Sequence, residues 1–70
     1  MNIINFIKFK LDRHYLLKHK NEHPIVKSKV GNKSYFIANF NNKIIQIFDT
    51  EYLYTLNVSG FYNNFRVVKR

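Results

Sequence analysis

Two short turn signals constrain what this chain can fold into more than any other feature. Gly31-Asn32 and Asn41-Asn42 are residue pairs that tolerate positive φ, and each is flanked by segments rich in β-branched and aromatic side chains. They predict an antiparallel meander with strands over residues 25–30, 33–40 and 43–49. The alternation of large and smaller groups from Tyr52 to Val58 predicts a fourth strand, and residues 65–69, after Asn63-Asn64, a fifth. The only proline, Pro24, closes the polar stretch 18–23 and separates the sheet from the N-terminal segment, because the residue before a proline is pushed out of helical geometry.

The N-terminal segment admits two readings. As a helix over residues 3–20 it places Ile4, Ile7, Leu11, His14 and Tyr15 on one stripe, with Lys18 and Lys20 near the negative end of the helix dipole. As a strand, Ile7, Phe9 and Leu11 alternate with Lys8, Lys10 and Asp12, and Asp12 then caps a short helix over residues 13–20. The long helix is preferred. The expected fold is therefore α+β, an N-terminal amphipathic helix packed on a small antiparallel β-meander of four to five strands, with residues 1–70 forming one small basic domain.

Seventy residues without a cysteine leave only hydrophobic packing or self-association to stabilise such a domain. Seven Phe and five Tyr supply the apolar area, so a disordered basic tail is excluded and a homodimer is a second route to stability. The opening run MNIINFIKFKL is broken by Asn5, Lys8 and Lys10, too short and too polar for a membrane span or a signal sequence. Together with the absence of cysteine this points to a cytoplasmic protein that does not enter a membrane.

Twelve Lys and Arg against four Asp and Glu give a net charge of +8, which attracts phosphate or an acidic protein surface. Asn, Lys, Ile, Phe and Tyr, all encoded by AT-rich codons, make up 39 of the 70 residues, so part of the Lys excess reflects an AT-rich genome such as that of a low-GC bacterium, a phage or another mobile element. Two-residue turns fix register, and counting along the strands puts Lys27, Lys29, Phe36, Phe40, Lys43, Ile45 and Ile47 on one face. The other face then holds Val26, Tyr35, Ile37, Ile44 and Phe48 and is the better core. Cations interleaved with aromatic rings are the arrangement of single-stranded nucleic-acid platforms, where cations track the backbone and rings stack on bases. The competing reading makes Phe36, Phe40, Ile45 and Ile47 a second buried layer or a dimer interface, with the ammonium groups at its rim.

The candidate polyanion-binding residues are thus Lys27, Lys29, Lys43, Phe36 and Phe40, extended by Lys8, Lys10 and Arg13 of the N-terminal segment. No cofactor or metal is expected: of His14, His19 and His23 the last two are four apart, but Pro24 argues against a regular helix there and only Glu22 or Asp12 could complete the four ligands of a structural zinc. Four scattered acids, no glycine-rich phosphate loop and no nucleophile elbow leave no catalytic constellation, so the chain is not expected to be an enzyme. The leading expectation is a small non-enzymatic module acting on nucleic acid or a nucleoprotein complex. The alternative is a phage or mobile-element inhibitor or adaptor, anti-CRISPR-like in size and composition, docking on an acidic surface or in the nucleic-acid groove of a host protein. A small ribonuclease toxin is a minor third.

Overall fold

The computed structural model describes residues 3–69. The chain runs helix α1 (Ile3–Lys18), a single 3-10 turn (Lys20–Glu22), strands β1 (Ile25–Ser28), β2 (Ser34–Phe40), β3 (Ile44–Phe48) and β4 (Leu53–Asn57), helix α2 (Val58–Asn64) and strand β5 (Phe65–Val67). The expected α+β class, the long N-terminal helix and the antiparallel sheet are all present. The five strands lie in the order β4-β3-β2-β1-β5. The meander covers the first four, and α2 carries the chain back across the sheet so that β5 pairs antiparallel with β1 instead of β4.

Helix α2 occupies the segment between the expected fourth and fifth strands, where no helix was expected. Asn57, in extended conformation, accepts a hydrogen bond from Gly60 N at 2.6 Å and caps the helix, a standard N-terminal signature. Gly60 leaves room for that cap, since a Cβ there would stand 2.9 Å from the Asn57 side-chain oxygen. The helix places Val58, Phe61 and Tyr62, three and four residues apart, in the core.

The first turn forms as expected in kind but wider in span. Gly31 and Asn32 both adopt positive φ, yet Lys27 pairs with Ser34 and Ser28 N bonds Lys33 O at 2.9 Å, which makes the connection a four-residue loop. The slide is by an even number of residues, so the faces of β1 and β2 near the turn keep their assignment. The second hairpin does not preserve it. Phe40 pairs with Ile45 and Asn39 with Gln46, but Ile37 pairs with Ile47, so one extra residue, Ala38, is inserted into β2 as a bulge. Phe36 and Phe40, expected on the same face, consequently point to opposite sides.

The resulting core is Val26, Ile37, Ile45, Ile47, Val58, Phe61 and Tyr62, closed by Phe9 and Leu16 of α1, with Phe40 packed against it. Ile45 and Ile47 therefore belong to the core face, and Ile44 and Phe48 to the other, the reverse of the register count. The buried stripe of α1 also differs from the expected one. Ile4, Ile7, Leu11 and His14 are exposed, whereas Asn5, Phe9 and Leu16 are buried and Asp12 and Tyr15 half-buried. Burying Asn5 and Asp12 requires partners, and α2 supplies them. Asn5 Nδ2 donates to Ser59 O at 3.1 Å and Asn63 Oδ1 at 2.8 Å, and the Tyr62 hydroxyl donates to Asp12 Oδ2 at 2.8 Å. Lys69 completes that junction through Asp12 Oδ1 at 2.8 Å. Burial and the adjacent Asp12 carboxylate hold the Tyr62 phenol above its ordinary range, so it stays a donor.

In the β3–β4 turn Asp49 accepts from the backbone N–H groups of Glu51 and Tyr52, both at 2.8 Å, and pairs with Lys33 at 3.1 Å. The backbone bonds, assisted by Lys33, lower its pKa from 3.8 to about 2.

Two outcomes follow for stability. Phe9→Ala or Leu16→Ala should cost about 2–5 kcal/mol in denaturant unfolding, whereas Ile7→Ala or Leu11→Ala should stay within about 0.5 kcal/mol. Equal losses at all four positions would contradict the orientation of α1. Because the Asp49 pKa is depressed on folding, its contribution is complete above the unfolded-state value near 3.8 and disappears as pH falls through about 2. Asp49→Asn should therefore flatten the fall of melting temperature between about pH 4 and 2; an unchanged slope would exclude that role.

Candidate nucleic-acid interface

Both helices pack on one face of the sheet. On the other face the strands present Arg66 from β5, Ile25 and Lys27 from β1, Ser34 and Phe36 from β2, Gln46 and Phe48 from β3, and Leu53 and Thr55 from β4. Phe36 is 41% exposed and Leu53 60%. Phe36 is thus an exposed aromatic ring on the sheet face that neither helix covers.

The rings form a short row. Phe36 and Phe48, directly opposite each other across β2 and β3, have centroids 5.6 Å apart, and the His23 imidazole meets Phe48 edge-on at 5.5 Å. His23 is held there by its backbone and its ring: φ is 52°, a region that histidine tolerates better than most residues, and Nδ1 lies 3.1 Å from Ile37 O. At the end of the row a recess of about 200 Å³ opens beside Phe36, Ile25, His23, His19, Glu22 and Tyr15. His19 and Glu22 pair with each other at its rim, and no three His, Asp or Glu side chains among the described residues converge to hold a metal ion.

Next to the rings stands a cation pair. Lys27 and Arg66 are direct cross-strand partners, the placement in which like charges destabilise a sheet. Nothing in the strands offsets them: none of the five contains an acid. The four acids lie elsewhere, with Asp12 in α1, Glu22 in the 3-10 turn and Asp49 and Glu51 in the β3–β4 turn. Among the described residues the only salt bridges are His19–Glu22, Lys33–Asp49 and Lys69–Asp12.

The residues singled out from the sequence are dispersed by the fold. Lys27 and Phe36 lie together on the open face. Phe40 does not join them, because the bulge turns it to the core side, where its ring meets Phe9 edge-on at 6.4 Å. Lys29 sits in the β1–β2 loop and donates from Nζ to Tyr62 O at 2.9 Å, near the end of α2. Lys43 is exposed in the β2–β3 turn, where its backbone carbonyl accepts from Val58 N. Lys8, Lys10 and Arg13 are exposed on α1, across the sheet from Lys27. Arg66, Phe48 and His23 were not among the residues singled out. Phe48 and His23 escaped notice because only the bulge and the turn before Pro24 bring them to this face.

A second cleft, of about 230 Å³, lies between α1 and β5 and also collects cations, Lys8, Lys29, Arg66 and Lys69. There half of the charge is answered, since Lys69 pairs with Asp12 and Lys29 with a helix carbonyl. The open sheet face, with paired cations and no acid, is the stronger candidate. Compared with protein-family models, curated proteins and solved structures, the chain matches none.

If Lys27 and Arg66 are held against each other without compensation, removing one should relieve the ligand-free protein. Lys27→Thr is expected to raise stability by about 0.2–1 kcal/mol at low ionic strength, with the gain shrinking as salt screens the pair. Thermal melts across a salt series test this. A destabilised variant, or a gain independent of salt, would show that the pair is not repulsive.

Proposed function

We propose that this protein is a non-enzymatic module that binds single-stranded nucleic acid on the open face of its sheet, largely without sequence preference. The observation that carries the reading is the opposed pair Lys27 and Arg66, uncompensated by any acid of the sheet and set beside the exposed Phe36. A phosphate placed between the two cations converts their repulsion into attraction. The adjoining row of Phe36, Phe48 and His23 offers faces and edges on which a base stacks. Duplex recognition is less well served, because neither a protruding helix nor a protruding ribbon accompanies these residues for entry into a major groove.

The test is fluorescence titration of a labelled oligo-dT or oligo-U against salt. Replacing both Lys27 and Arg66 by Ala should flatten the plot of log affinity against log salt by about 1–1.5 units, at roughly 0.7 per lost contact on a single strand. Phe36→Ala should weaken binding by about 1–3 kcal/mol with little change of slope and, the ring being partly exposed, without unfolding the domain. If the triple change Lys8→Ala, Lys10→Ala, Arg13→Ala flattens the slope and the sheet-face pair does not, the helix side is the binding surface and the proposal fails.

A further inference from the structure

Helix α1 has a second face that the core does not use. Directly opposite the buried stripe of Asn5, Phe9 and Leu16, the residues Ile4, Ile7, Leu11 and His14 recur at intervals of three and four, the spacing of a coiled-coil seam. Ile4 is 60% exposed, Ile7 52% and Leu11 69%, and Ile3 beside them 73%. Aliphatic side chains scattered singly over a surface need no explanation, but a continuous seam of them does. It spans three helical turns, the length over which one helix packs along another.

The charge around the seam identifies what fits it. Lys8 borders one side and Lys10 the other, both exposed, and Lys18 stands at its far end. The only acid in the helix, Asp12, is turned inward to Tyr62 and Lys69. A second copy of the chain, itself carrying +8, would bring cations against cations along the flanks. We propose that this seam docks an acidic amphipathic helix of a partner protein, whose aliphatic residues pack between Ile4, Ile7 and Leu11 while its carboxylates face Lys8 and Lys10. The seam lies on the helix side of the sheet, away from Lys27 and Phe36, while its Leu11 and the flanking Lys8 share the cleft between α1 and β5 with Arg66, so the two surfaces adjoin at that edge.

The probe is a synthetic helical peptide of about three heptads with Leu at the seam positions and Glu at the flanking ones, the pattern complementary to this face. Isothermal titration should show an equimolar complex, and amide shifts in NMR spectra should concentrate on the outward residues of α1. Leu11→Glu should lower the affinity by on the order of tenfold or more without moving the melting temperature, since Leu11 adds little to the core; Phe36→Ala should leave it unchanged. A scrambled peptide of the same composition that binds equally well would reduce the effect to bulk charge and overturn the proposal. So would a peptide affinity indifferent to Leu11→Glu. Sedimentation showing a dimer of the protein alone that Leu11→Glu dissociates would assign the seam to self-association. Adsorption to phosphatidylcholine–phosphatidylglycerol vesicles, lost in Leu11→Glu and accompanied by no peptide binding, would assign it to a lipid surface.

Discussion

The insertion of Ala38 into β2 governs how this small sheet divides its side chains. Strands alternate strictly, so without the bulge β2 would send Phe36 and Phe40 to the same side and drag Ile45 and Ile47 with them. The extra residue reverses the alternation within the strand. Phe40, Ile45 and Ile47 join Val26 and Ile37 beneath the helices, and Phe36 and Phe48 are left together on the far side. A domain of this size has room for one core. The bulge concentrates the aliphatic side chains of three strands into it and leaves two phenylalanine rings for the opposite face.

The second organising element is the junction between α1 and α2. Asn5 and Asp12, two polar residues on a helix with aliphatic side chains to spare, are the ones turned inward, because Ser59, Asn63, Tyr62 and Lys69 satisfy them. Buried polar groups with complete hydrogen bonding specify orientation more sharply than aliphatic packing does. No buried side-chain nitrogen or oxygen is left without a partner among the described residues. The consequence is that Phe9 and Leu16 close the core while Ile4, Ile7 and Leu11 remain outside. Charge is distributed to match this two-sided plan. Acids are confined to α1, the 3-10 turn and the β3–β4 turn, where each of Asp12, Glu22 and Asp49 has a local partner, while the strands carry cations alone.

Much of the fold was legible in the amino-acid order. Local signals set the break at Pro24 and the strands around Gly31-Asn32 and Asn41-Asn42, because each depends on backbone preferences of a few adjacent residues, and they favoured the N-terminal helix while leaving a strand open over its first half. The cationic excess was equally plain. Less of the candidate site could be read. Lys27 and Phe36 were identifiable as a cation and a ring near one another in a hairpin, but Arg66 sits in a strand whose partner is β1, a pairing decided by how α2 crosses the core.

What the sequence could not announce was decided by interactions between residues far apart in the chain. A bulge at Ala38 has no signature in the residue itself, and it forms because the sum of contacts from Ile37, Phe40, Ile45 and Ile47 is better with it than without. Which stripe of α1 faces inward likewise depended on hydrogen-bond partners fifty or more positions away. The sequence by itself determined the order of the strands along the chain and the sign of the surface charge, since these follow from local propensity and composition, whereas helix α2 was not among the expected elements. Only the tertiary structure decided which rings and cations share the open face and which aliphatic side chains stay outside, because burial is a property of the whole assembled sheet and its helices.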